Sequence, residues 1–129
     1  MLTKAGLKNR SEVHLGGAEE AVQLLIAKNE AIDILFIDHD KGKYLSDLQL
    51  IEVSGLLCVG SKVIADNVLS FGRPLTAYLD HVRGSGRYSS SRCFQDSVEY
   101  CKQGEVIIDI DGCLVSDTID GVEISTYAI

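Results

Sequence analysis

A chain of 129 residues, 46% hydrophobic and 6% aromatic, carries enough apolar material for one core and has no room for two. Its formal net charge is −7, with 12 scattered basic residues against 19 acidic ones; this excludes a nucleic-acid backbone as partner, which requires clustered Lys and Arg. No apolar stretch reaches the roughly 18 residues of a membrane span, and residues 1–6 lack the apolar core of a signal peptide, so a cytoplasmic chain without membrane contact is expected.

In chain order, residues 1–9 read as the end of a helix, with Gly6 near its C-cap and Lys4, Lys8 and Arg10 at the negative end of the dipole. Glu12-Val13-His14-Leu15 alternates as a short strand that stops at Gly16-Gly17. Residues 18–29 follow as a helix with Ala18, Ala21, Val22 and Leu25 on one face. The run Ile34-Leu35-Phe36-Ile37 then ends at Asp38. A helix over residues 44–57, closed by Gly60, leads to Lys62-Val63-Ile64-Ala65, which ends at Asp66-Asn67. Each run stops abruptly at a carboxylate, as a central strand of a parallel sheet does when its end carries a site. Phe71-Gly72-Arg73-Pro74 marks a turn before a helix whose Leu75, Tyr78, Leu79 and Val82 share a face. Residues 88–100 are polar, and Val106-Ile107-Ile108 and Val122-Glu123-Ile124-Ser125-Thr126-Tyr127 read as strands. The succession predicts an α/β fold with a mostly parallel sheet and an antiparallel C-terminal edge.

Asp38 and Asp66 lie 28 residues apart, close to the roughly 30 residues of one strand-helix-strand unit. The two carboxylates should therefore emerge side by side at one sheet edge, where open α/β sheets bind their ligands. Asp38, Asp66 and Asn67 together form an oxygen set suited to one Mg²⁺, which commonly leaves coordination positions for water or substrate. Lys41, three residues after Asp38, is placed as a base whose pKa burial and cation repulsion would lower. The competing reading makes the strand-end Asp and Asn residues caps of the next helix or turn. Cys58, Cys93, Cys101 and Cys113 contain no Cys-x-x-Cys pair, so free thiols are expected and a zinc site is not. His14 and His81 read as packing or surface groups, and Tyr44 and Tyr78 as core.

Phe36-Ile37-Asp38-His39-Asp40-Lys41-Gly42-Lys43-Tyr44-Leu45-Ser46-Asp47, followed by Gly55-Leu56-Leu57, Val63-Ile64-Ala65-Asp66-Asn67-Val68 and Tyr78-Leu79-Asp80-His81-Val82-Arg83-Gly84-Ser85, resembles catechol O-methyltransferase. Ala5-Gly6-Leu7, Gly17-Ala18, Val98-Glu99-Tyr100 and Asp120-Gly121-Val122-Glu123 extend the likeness to nearly the whole chain except about residues 102–119, which read as an insertion in a single partial domain. The resemblance implies a Rossmann-like, class I S-adenosylmethionine-dependent methyltransferase fold that lacks its N-terminal cofactor-binding strands. It implies Mg²⁺ and S-adenosylmethionine as cofactors and a small catechol-type molecule as substrate. By the same resemblance Asp38, Asp66 and Asn67 are metal ligands and Lys41 is the general base. Glu99 orients the second hydroxyl, Lys41, Asn67 and Glu99 meet the substrate, and Gly17, Ala18, Asp38 and His39 lie against the methyl donor.

Three departures accompany it. Asp40 stands where animal members carry a tryptophan beside the catechol ring, and Phe71 where they carry a proline wall. Glu19 and Glu20 replace small polar residues near the adenine. The family's glycine-rich first strand has no counterpart here, and a sheet opened along that edge is expected to self-associate. An alternative is therefore a remnant or metal-binding module without the cofactor site. Another arises from Asp109-Ile110-Asp111-Gly112, which resembles the nucleophile motif of haloacid-dehalogenase-like phosphatases; the simpler reading there is a hairpin turning at Asp111-Gly112.

Overall fold

The computed structural model describes residues 6–69, 74–97, 107–108, 114–115 and 119–129. Strand β1 (Ile32–Ile37) is joined through α2 (Tyr44–Ser54) to β2 (Leu57–Ala65). The two strands pair in parallel, with Ile37 opposite Ala65. Beyond β2 come α3 (Thr76–Gly84), β3 (Tyr88–Ser97) and β6 (Ile119–Tyr127), and α1 (Ala18–Ala27) precedes β1. The main sheet has the order β1-β2-β6-β3. Its β2–β6 and β6–β3 ladders are antiparallel. The expected parallel character thus holds for one pairing of three, because β6 enters beside β2 rather than at an outer edge. Strands β4 (Ile107–Ile108) and β5 (Leu114–Val115) form a separate antiparallel pair.

All three helices contribute to one core, in which Val22 of α1, Tyr44, Leu48 and Ile51 of α2, and Tyr78 and Val82 of α3 meet Val63, Ala65 and Tyr127. Period-two alternation sends the intervening strand residues to the other face. Ile34, Phe36 and Phe94 lie there, 66%, 59% and 50% exposed. Among the described residues the β1 run is therefore not buried on both faces as its unbroken apolar composition suggests; it pairs on one side and is covered on one face.

Three local features differ from the sequence pattern. Val13 and Leu15, 78% and 97% exposed, form no strand, since an alternating segment needs a ladder partner and none stands beside it among the described residues. Helix α2 stops at Gly55, whose φ of +74° is the left-handed cap that glycine adopts freely, and not at Gly60. Gly60, φ +94°, lies within β2, where residues 58–61 bulge out of register. Ser61 closes that bulge: its Oγ donates to Ile32 O at 2.7 Å and accepts from Cys58 N at 2.9 Å. Finally, the polar stretch from residue 88 is a strand. Its inward Ser91 donates to the buried Glu123 at 2.6 Å and bonds Ser125 at 2.7 Å, so hydrogen bonds replace the apolar alternation that sequence patterning detects.

Candidate functional site at the carboxyl ends of β1 and β2

Because β1 and β2 are parallel neighbours, Asp38 and Asp66 leave the sheet side by side, and Asp66 N donates to Ile37 O at 3.0 Å. After Asp38 the chain makes a short 3-10 turn, Lys41–Lys43, capped by Asp40, whose Oδ1 accepts from Gly42 N at 2.9 Å. That turn folds the Lys41 side chain back over the strand ends. Its Nζ lies 3.5 Å from Asp38 Oδ1, donates to Asn67 Oδ1 at 3.2 Å, and donates to Tyr44 Oη at 2.8 Å. The fully buried Tyr44 in turn donates its hydroxyl hydrogen bond to Asp66 O at 3.0 Å. Asp66 Oδ1 accepts from Asn67 N at 2.8 Å, and Asn67 takes the left-handed φ of +55° that Asn tolerates better than most residues.

An ammonium group thus sits where oxygens of Asp38 and Asn67 converge. This arrangement fits a hard cation, which would be held by Asp38, Asn67 and the neighbouring Asp66. Among the described residues no three His, Cys, Asp or Glu side chains form a metal cluster, so any such site rests on two carboxylates and an amide. After β1 it is Asp40, not Asp38, that caps the following turn, whereas Asp66 Oδ1 is engaged by the backbone N of Asn67.

The protonation of Lys41 runs against expectation. Burial alone would push its pKa down, but the hydrogen bond to Tyr44 and the charge of Asp38 outweigh burial and raise it. In these contacts Lys41 acts as an ammonium donor. Tyr44 is also shifted upward, chiefly by burial, and stays a neutral phenol.

Gly17, Ala18 and His39 gather elsewhere, along an open groove of about 960 Å³ between the N-terminus of α1 and α2. Asp38 does not line that groove and belongs with Lys41. Glu20 is occupied in capping α1, accepting from Gly17 N at 2.9 Å. His39 Nε2 is 2.7 Å from Asp47 Oδ2, and its ring stacks on Tyr44 at 5.3 Å. Tyr44, read from sequence as core alone, therefore joins the groove to the Lys41 corner. Asp120, also without an assigned role in the sequence reading, accepts from Asn67 Nδ2 at 2.7 Å. Its partner is 53 residues away, a separation no local pattern reveals. Glu99, Phe71, Asp109 and Asp111 lie outside the described residues.

The O-methyltransferase of Bacillus cereus, solved in complex with SAH, superposes with a TM-score of 0.70 at 22% identity, over 98% of this chain and 54% of that one. The fold is therefore that of the O-methyltransferases. The catechol O-methyltransferase of Sus scrofa is 34% identical over 125 residues, 95% of this chain and 58% of the relative. That of Bos taurus is 38% identical over 104 residues, 79% of this chain and 37% of the relative. In sequence the chain is a homologue of the catechol O-methyltransferases, spanning about half or less of the length of these two. No family model matches.

Proposed function

We propose that this chain carries the catalytic corner of a Mg²⁺-dependent, S-adenosylmethionine-dependent O-methyltransferase that methylates one hydroxyl of a catechol-type molecule in the cytoplasm. The observation that carries this reading is the convergence of Asp38 Oδ1 and Asn67 Oδ1 on one cationic centre beside Asp66, at the ends of two paired strands. The homology to catechol O-methyltransferases supports the substrate class, and the SAH-bound relative supports the methyl donor. No described helix is long and apolar enough to cross a membrane, in keeping with the proposed setting. In the same reading residues 1–129 form one domain with an insertion over about 102–119; the separation of the β4–β5 pair from the main sheet supports this.

Asp38, Asp66 and Asn67 would hold Mg²⁺, which when bound makes coordinated hydroxyls more acidic. Lys41 Nζ, within 3.5 Å of Asp38 and Asn67, is positioned to receive the proton of a hydroxyl set on those oxygens. A second cation on the same carboxylates would weaken their hold on Lys41 and repel its charge, favouring the neutral amine that a base requires. S-adenosylmethionine, when bound, would supply an electrophilic methyl group to that oxygen, its sulfur keeping the pair of the broken sulfur–methyl bond, and Lys41 would keep the hydroxyl proton. Gly17, Ala18 and His39 would border the donor, His39 being held flat on Tyr44 by Asp47. Glu99 would orient the second hydroxyl.

A second reading is a metal-binding module without methyl transfer. Methyl transfer to catechol, followed by mass spectrometry in the unmodified chain and in Lys41→Met, separates the two. The enzyme reading expects transfer that is lost in K41M while Mg²⁺ still binds; equal turnover would reject Lys41 as base. An unmodified chain that binds Mg²⁺ and transfers nothing fits the second reading.

A further inference from the structure

A carboxamide has an oxygen end and an amino end of nearly equal size, and only the oxygen can hold a cation. Asn67 stands between a donor and an acceptor that fix which end faces which way. On the sheet side Asp120 offers acceptors only, and its Oδ2 takes the Asn67 Nδ2 proton at 2.7 Å. On the site side Lys41 offers donors only, to Asn67 Oδ1 at 3.2 Å. The other Asp120 oxygen is already engaged, accepting from Leu69 N at 3.2 Å and Gly121 N at 2.7 Å. The backbone behind it is set by close packing. A Cβ on Gly121 would stand 2.6 Å from Cys93 Sγ and 2.9 Å from Leu69 Cδ1, and Val68 N donates to Gly121 O at 3.0 Å. Strand β6 is thus pressed against the loop that carries Asn67.

We infer that Asp120 is a positioning residue that keeps the Asn67 carboxamide with its oxygen turned toward Asp38 and Lys41. This rests on the reading of Asn67 as an oxygen ligand. Lys41 enforces the same orientation only while it stays bonded to Asn67, so Asp120 maintains it when Lys41 has moved away and before a cation is bound. Outer-shell partners of this kind typically alter metal affinity by roughly 10–100-fold when replaced.

Asp120→Asn tests the inference with little change of shape. It retains an oxygen for Leu69 N and Gly121 N but presents an amino group to Asn67. The Asn67 amide then turns over and offers its own amino group to the site. In the unmodified chain the Asn67 side-chain NH₂ resonances are expected to be slow to exchange and to show a hydrogen bond to carboxylate. In D120N those signals shift, and calorimetric titration with Mg²⁺ shows affinity reduced by roughly 10–100-fold. The double variant D120N/N67D recovers most of that affinity, because a carboxylate presents oxygen on both sides. Recovery would not follow if Asp120 merely packed the loop, so a D120N loss left unrepaired by N67D overturns the inference. Unmoved Asn67 signals with undiminished affinity also overturn it. If D120N fails to fold, an unprotected Asn67 amide in the unmodified chain still refutes the inference, and a protected one upholds it. A chain that binds no Mg²⁺ yet shows the Asn67 shift refutes Asn67 as ligand while upholding its orientation by Asp120.

Discussion

Glu123 shows how a fully buried charge is tolerated in this small sheet. Arg83 clasps it with Nε at 2.9 Å and an Nη at 2.8 Å, and Ser91 adds a third bond at 2.6 Å. Burial acts to raise its pKa, but Arg83 and Ser91 outweigh that and hold the carboxyl below its ordinary value. A group more acidic folded than unfolded contributes stability above the usual carboxylate range and loses it as pH falls through the folded value. Thermal melts are therefore expected to weaken as pH drops below about 4.5, the unfolded range, and Glu123→Gln to flatten that decline. At neutral pH the variant should cost about 1–2 kcal/mol, a modest figure because Arg83 is 46% exposed and can turn to water. Melting curves of E123Q with an unaltered acid limb would contradict this. Glu52 anchors a second buried group, with His81 Nε2 at 2.9 Å and the Tyr88 hydroxyl as partners.

At the level of elements, the parts readable from sequence are those fixed by short-range pattern. The runs ending at Asp38 and Asp66, the helix between them and the apolar face of α3 follow from periodicity and spacing. Lys41 was readable because its turn lies three residues from Asp38. What escaped depends on distant partners. The polar strand β3 exists because β6 supplies both its ladder and hydrogen bonds for its inward serines. Asp120 gains its place only when β6 packs beside β2. Conversely, Val13 and Leu15 show strand alternation and form none, since pattern alone provides no ladder partner. The β6 contact with the 66–69 loop leaves no space at Gly121, so Gly121→Ala should destabilise by about 1–3 kcal/mol through overpacking. Denaturant unfolding of G121A with an unchanged midpoint would show that Cys93 and Leu69 yield easily.

At the scale of the molecule, the sheet face that carries Ile34, Phe36 and Phe94 is exposed among the described residues, and among them β1 has a ladder partner on one side only. Edge backbone and apolar surface together favour pairing with another chain. Light scattering at tens of micromolar, an order-of-magnitude choice, is expected to show association that Phe36→Lys reduces. A monodisperse monomer at those concentrations would contradict this.

The proposed function requires oxygens at the ends of β1 and β2 to hold a divalent cation. Calorimetric titration of Mg²⁺ into the purified chain and into Asp38→Ala is expected to show one saturable site in the unmodified chain and none in D38A. Undiminished binding in D38A, or no binding in either, would contradict it.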